Sequence, residues 1–265
     1  MTPSIVTPSV ATLGFALIGG SGSATWPRFG RRERPGLSAT SISGLPGAST
    51  ALKRICDGAV GQLPDVGVSV SIVAGQGHGG TAYATDPLAA RIDELQFTLG
   101  EGPAFDAVLD HFPVLLADLD DDGLGLLGRW PAFTAAVRAE GVVALFVFPL
   151  QVGADGFGAL TLHARAPFEL TESRLSQVLR AADAAARTLL DMIRGTGAVA
   201  DRLDDGDAYR PQVYQASGVL MAQLGVSSGE ALARLRAYAY AHDLDITVVS
   251  KDILGHRLWL TKDYE

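Results

Sequence analysis

From residue 213 onward, apolar residues recur at steps of three and four, which confines this part of the chain to short helices with one buried face each. Residues 213–221 read VYQASGVLM, residues 231–242 ALARLRAYAYAH, and residues 248–258 VVSKDILGHRL. In the first helix Val213, Ala216, Leu220 and Leu224 share a face, and Gly225 closes it as a C-terminal glycine. Ser227 or Ser228 caps the second, Glu230 sits in its first turn, and Leu232, Leu235 and Ala239 form its stripe. Thr247 caps the third, whose inward face is Val248 or Val249 with Ile253 and Leu258. Three helices of this size bury little surface by themselves, so the unit needs a dimer partner or a larger neighbour.

Composition sets the outer limits. The 265 residues allow one or two domains, and 48% hydrophobic with 19% charged residues suits a globular chain. No apolar run reaches the length of a membrane span. A formal charge of −8 argues against a general nucleic-acid binder. The charge is segregated, however. Residues 209–262 hold Arg210, Arg234, Arg236, Lys251, Arg257 and Lys262 against Glu230, Asp243, Asp245 and Asp252, six minus four, or +2. That is enough for a modest phosphate footprint where the cations share a face. The lone Cys56 excludes an internal disulfide and fits a reducing cytoplasm. Its neighbours Leu52, Ile55, Ala59 and Val60 suggest a buried thiol on a helix. Residues 1–47 read as a disordered arm or an over-extended gene start, with Arg28, Arg31, Arg32 and Arg34 among Gly, Pro and Ser. Their apolar patch at 10–19 lacks a preceding basic residue, so it is a poor signal peptide.

Between residues 48 and 193 the order is helix, strands, short helices, strands, long helix, an α+β arrangement. An entry helix is expected over 52–63. Residues 67–74 alternate Val68, Val70 and Ile72 with Ser69 and Ser71, the pattern of a half-buried strand. A second strand at 81–85 pairs with it across a glycine loop, and Asp86-Pro87 opens a helix. Further strands are expected at 113–117, 142–150 and 157–163, with a helix at 129–140 that Gly141 ends. In the long helix 171–193, Leu175, Val178, Ala182, Ala185, Leu189 and Met192 form a seam that fits either the chain's own sheet or a second copy. Residues 194–208 form a polar joint.

Several motifs have ordinary readings. Residues 75–80, GQGHGG, satisfy G-x-G-x-x-G, but a strand follows where a dinucleotide site needs a helix, so they read as a hairpin loop. The histidines have no ligand spacing, so no metal is expected. Asp118 and Asp120 to Asp122 read as a solvated loop. No nucleophile motif accompanies a base, and nothing in the sequence marks an enzyme or a cofactor site.

Two strings go further. Ala216-Ser217-Gly218-Val219-Leu220-Met221, then Gly225-Val226-Ser227, Glu230-Ala231, Leu235-Arg236, Ala239, and Val249-Ser250 before Ile253, resemble the ANTAR domain, a three-helix RNA-binding module of bacterial transcription antiterminators. Ser217 stands where many relatives carry Lys or Thr, which removes one charge-assisted contact if that position meets phosphate. Residues 93–103, DELQFTLGEGP, with Arg129-Trp130-Pro131, Phe133, Phe148-Pro149-Leu150 and Gly158-Ala159-Leu160, look like the GAF domain that precedes ANTAR in many actinobacterial regulators. Ala104 follows the GEGP word where relatives commonly carry Cys.

The resemblances imply a GAF-like antiparallel sheet with flanking helices at 48–193, joined through 194–208 to a three-helix ANTAR-like unit at 209–262. They imply a cytoplasmic, homodimeric regulator that binds RNA stem-loops in nascent leaders in response to an unknown small-molecule or protein signal. Arg210, Ser217, Arg234, Arg236, Tyr240, Lys251 and Arg257 are the candidate RNA contacts, cations interleaved with aromatics. Gln96, Glu101, Trp130, Phe133 and Phe148 are the candidate lining of a ligand cavity. The rival reading is a helical tail that docks on a protein partner.

Overall fold

The computed structural model describes residues 46–261 except 62, 64, 75–76, 122–124, 126, 154, 196–209 and 243. The expectations for the N-terminal arm up to residue 45 and for most of the joint lie outside the described residues. So do those for Gly75, Gln76 and Lys262. The chain divides into two compact units. The larger holds the described residues up to Phe97 and from Gly102 to Arg210, and the smaller holds Thr98–Glu101 and Pro211 onward.

In the larger unit, α1 (Pro46–Val60), β1 (Val66–Ala74), β2 (Gly77–Ala84), α2 (Pro87–Leu99), α3 (Pro103–Asp110) and β3 (Val114–Leu116) follow in order. A 3-10 turn at Leu127–Arg129 leads to α4 (Pro131–Ala139), β4 (Ala144–Val152), β5 (Asp155–Ala164) and α5 (Glu172–Gly195). The strands form one sheet in the order β2-β1-β5-β4-β3, with every neighbouring pair antiparallel. The expected strands are present with shifted ends. The entry helix starts and stops earlier than the apolar pattern suggested, and β2 begins inside the glycine motif, at Gly77.

Alternation along β1 decides which residues face which layer. Val68, Val70 and Ile72 lie on one side with Phe146, Phe148, Leu160 and Leu162, packed against Leu52 and Cys56 of α1 and Val178, Ala185 and Leu189 of α5. The α5 seam is therefore buried against the chain's own sheet, the first of its two expected uses. Gly158 makes that approach possible, since a Cβ there would lie 2.5 Å from the Ser71 carbonyl oxygen and 3.1 Å from Leu189 Cδ2. Burial of Cys56 pushes its thiol up to about 12, which leaves it unreactive as a thiolate.

The smaller unit contains α6 (Pro211–Leu224), α7 (Ser228–Ala241) and α8 (Ile246–Leu254). Gly225 adopts φ 65°, the left-handed conformation that ends α6 without a Cβ clash. Ser227 is the α7 cap, its hydroxyl oxygen accepting from the Glu230 amide at 3.3 Å. The α8 cap is Asp245 and not Thr247, because Asp245 Oδ1 accepts the Thr247 amide at 2.6 Å. Ala231, rather than Leu232, joins Leu235 and Ala239 in the core, and Val249, rather than Val248, faces inward. Leu260, beyond the last helix, is also buried.

Candidate functional site

The candidate RNA contacts divide into exposed and internal groups. Lys251 stands exposed in the last turn of α8. Arg257 is exposed and held by Asp252 Oδ1, which accepts from its Nε at 2.8 Å and lies 2.7 Å from its Nη2. Arg234, partly exposed, donates through Nε at 3.2 Å and Nη2 at 2.9 Å to Glu230 Oε1, one turn earlier. These exposed pairs fix where the cations point more than they stabilise the fold.

The remaining members lie elsewhere. Ser217 is buried, and its hydroxyl donates to the Tyr214 carbonyl oxygen at 2.8 Å, so it offers no phosphate contact in this conformation. Arg236 is buried at 7% exposure. Tyr240 is half-buried, its hydroxyl held above the ordinary range by desolvation and then by the charge of Glu101. Arg210 belongs to the larger unit, where its Nη2 lies 2.6 Å from Glu94 Oε2 and its guanidinium sits 4.0 Å from the Phe97 ring centroid. The structure brings Lys251 and Arg257 together and does not gather all seven candidates on one face.

Two aromatic pairs lie in the same unit as the exposed cations. Tyr238 and His242 stack at 4.0 Å between centroids, and His256 and Trp259 stack at 5.7 Å with 25° between planes. Trp259 did not enter the sequence reading. Its signal was a tryptophan between Arg257 and Lys262, past the last helical repeat.

In the larger unit the face of the sheet away from α5 carries an unexpected polar interior. Register places Ser71 opposite Thr81 and Ser69 opposite Thr161, so four hydroxyls share one face. Asp93 of α2 accepts from Ser69 Oγ at 3.0 Å and Thr81 Oγ1 at 3.1 Å. Burial pushes its carboxyl up to about 7, against the opposing pull of those hydroxyls and of the Arg210 charge. Gln96 lies one turn further along α2, fully buried, with Oε1 accepting the Ala104 amide at 2.8 Å. Gln96 Nε2, Ser71 Oγ, Thr161 Oγ1 and His163 Nδ1 are buried without a hydrogen-bond partner. An orphaned buried donor or acceptor costs roughly 1–3 kcal/mol, which makes this interior a natural place for a bound polar group.

The expected ligand lining is only partly brought together. Phe148 lies across the sheet in the α1 and α5 core, separated from Gln96 by the sheet itself. Glu101 clusters with the smaller unit. Trp130 is buried and donates from Nε1 to Asp106 Oδ2 at 3.0 Å, while Phe133 is buried at 1% exposure. Ser69, Ser71, Asp93 and Thr161 were missed, because an alternating strand does not reveal that its polar face is covered. Among the described residues no group of His, Cys, Asp or Glu is placed to hold a metal ion, and no helix is long and apolar enough to cross a membrane.

Residues 201–254 match the model of the ANTAR domain. No curated protein matches the chain. Among solved structures, a domain of a two-component sensor histidine kinase protein from Sinorhizobium meliloti shares 16% identity, covering 54% of this chain and 90% of its own, with a TM-score of 0.43. The GAF domain/HD domain protein from Geobacter sulfurreducens shares 15%, covering 57% and 97%, with a TM-score of 0.40. A GAF domain from Synechocystis, in its photoproduct state, shares 12%, covering 56% and 98%, with a TM-score of 0.42. Scores this low leave the function of the larger unit to its own residues. The chain thus joins an α+β unit, a five-stranded antiparallel sheet with flanking helices, to a C-terminal three-helix unit whose sequence matches the ANTAR domain.

Proposed function

We propose that this chain is a signal-responsive regulator whose C-terminal helices bind RNA and act in transcription antitermination. The observation that carries the reading is the ANTAR match over residues 201–254. The exposed Lys251 and Arg257 and the two aromatic stacks supply the chemistry such a surface needs, cations for phosphates and rings for splayed bases. The polar interior between the sheet and α2 receives the signal, with Ser71, Thr161 and Gln96 offering hydrogen bonds and Asp93 a carboxyl that titrates near neutrality. A small ligand with both donors and acceptors suits it. Each chain contributes one output unit, so a homodimer grips paired stem-loops in a leader transcript by raising the effective concentration of the second contact.

Mobility shift of the full chain with tandem stem-loop RNA tests this reading. The expected result is a complex that duplex DNA does not displace and that tightens when the stem-loops are paired. Binding to duplex DNA alone, or to no nucleic acid, contradicts it. A second reading, a protein-docking tail, is favoured by Met221, Leu244 and Val248, exposed at 37%, 42% and 48% in the smaller unit. A pull-down that survives ribonuclease supports that alternative.

A further inference from the structure

We infer that Trp259, stacked on His256 in the tail that follows α8, is a stacking platform for one unpaired nucleobase, outside the segment that matches the ANTAR domain. This inference rests on the RNA-binding reading and adds a specific contact to it.

The tail after α8 is held in place. Gly255 N donates to the Lys251 carbonyl oxygen at 2.9 Å, His256 N to that of Ile253 at 3.0 Å, and Arg257 N to that of Asp252 at 2.8 Å. His256 takes φ 55°, turning the chain back, and Leu260 is buried at 6% exposure. Pinned on both sides in this way, Trp259 remains 61% exposed, more than Met221, Leu244 or Val248 of the same unit. Such an arrangement keeps a large ring out of the core while costing little conformational entropy on contact.

The surroundings favour a base over an apolar side chain. His256 stacks against the indole at 5.7 Å and 25°, so the platform is already a short stack that a planar ring can extend. Arg257 is positioned by Asp252, and Lys251, whose carbonyl oxygen also receives Arg257 Nη2 at 3.4 Å, is exposed beside it. An exposed aromatic stack in the same unit as exposed cations suits a single-stranded backbone together with its base, whatever the base.

The test uses the full chain and the RNA hairpin most enriched on it after crosslinking in cells, with a second version of that hairpin carrying abasic sites in its loop. Trp259→Ala is expected to weaken binding about 5- to 100-fold with an unchanged salt slope, while Trp259→Phe stays within about threefold of the parent. On the abasic hairpin the parent and Trp259→Ala are expected to bind alike. Equal binding of parent and Trp259→Ala to the intact hairpin overturns the platform while leaving the RNA reading in place. An equal loss on both hairpins also overturns it, as a loss that does not depend on a base. If no hairpin is enriched on the parent, the RNA reading fails and the platform with it. Thermal melts of both variants separate lost contact from lost fold, and Trp259→Phe keeps the test open if Trp259→Ala does not fold.

Discussion

Lys251 and Arg236 carry the same charge and stand on neighbouring helices, yet one is exposed and the other buried. Lys251→Ala is therefore expected to weaken RNA binding and reduce the slope of log affinity against log salt by about one, the signature of a lost phosphate contact. Arg236→Ala is expected to lower the melting temperature and leave that slope unchanged, which a salt titration beside a thermal melt checks. Their sequence context did not separate them, since Arg236 follows the core residue Leu235 and a single helical step decides which side is covered. Asp93 gives a pH dependence. Its folded pKa is raised, so its contribution is complete below about pH 4 and is lost as pH rises toward 7, where the unfolded chain is ionised and the buried carboxyl resists. Asp93→Asn removes this penalty. Urea unfolding at pH 5 and pH 8 is expected to show the variant gaining on the parent at the higher pH, by roughly 1.4 kcal/mol per unit of the window that is crossed. A constant difference between the two contradicts the burial of an ionisable group there.

Elements were more legible than residues, and the reason is periodicity. The three-and-four spacing of α6 to α8 survives in the structure because each helix buries one face, and the alternation of β1 survives as an apolar and a polar face, both of them buried. Ends were less legible. Thr247 and Asp245 are both chemically able to cap α8, and only the geometry of the turn selects Asp245. Asp245→Ala is expected to cost about 1 kcal/mol, measured by denaturant titration, and Thr247→Ala much less. The α5 seam was open to two partners in sequence, and the sheet takes it. Leu189, at 0% exposure against Gly158 and the β-strands, makes the point testable. Leu189→Ala is expected to destabilise the larger unit by about 2–5 kcal/mol through the cavity it leaves. A loss of dimerisation without loss of stability contradicts this packing. The polar interior was not legible at all, because whether a strand's polar face meets water or a helix is decided by residues far away in sequence.

At the scale of the whole chain, an acidic protein with a net charge of −8 is proposed to bind a polyanion through one small unit. That arrangement limits non-specific attraction and puts the weight on a few fixed cations and rings. In the proposed reading, the α+β unit with its buried Asp93, Gln96, Ser71 and Thr161 receives the signal, and the helical unit with its exposed Lys251, Arg257 and Trp259 gives the output. The measurement that tests this most directly is crosslinking of the full chain to cellular RNA followed by sequencing. The account predicts enrichment of paired stem-loops ahead of terminators, with the enrichment reduced in Lys251→Ala. A folded protein that enriches no RNA contradicts it.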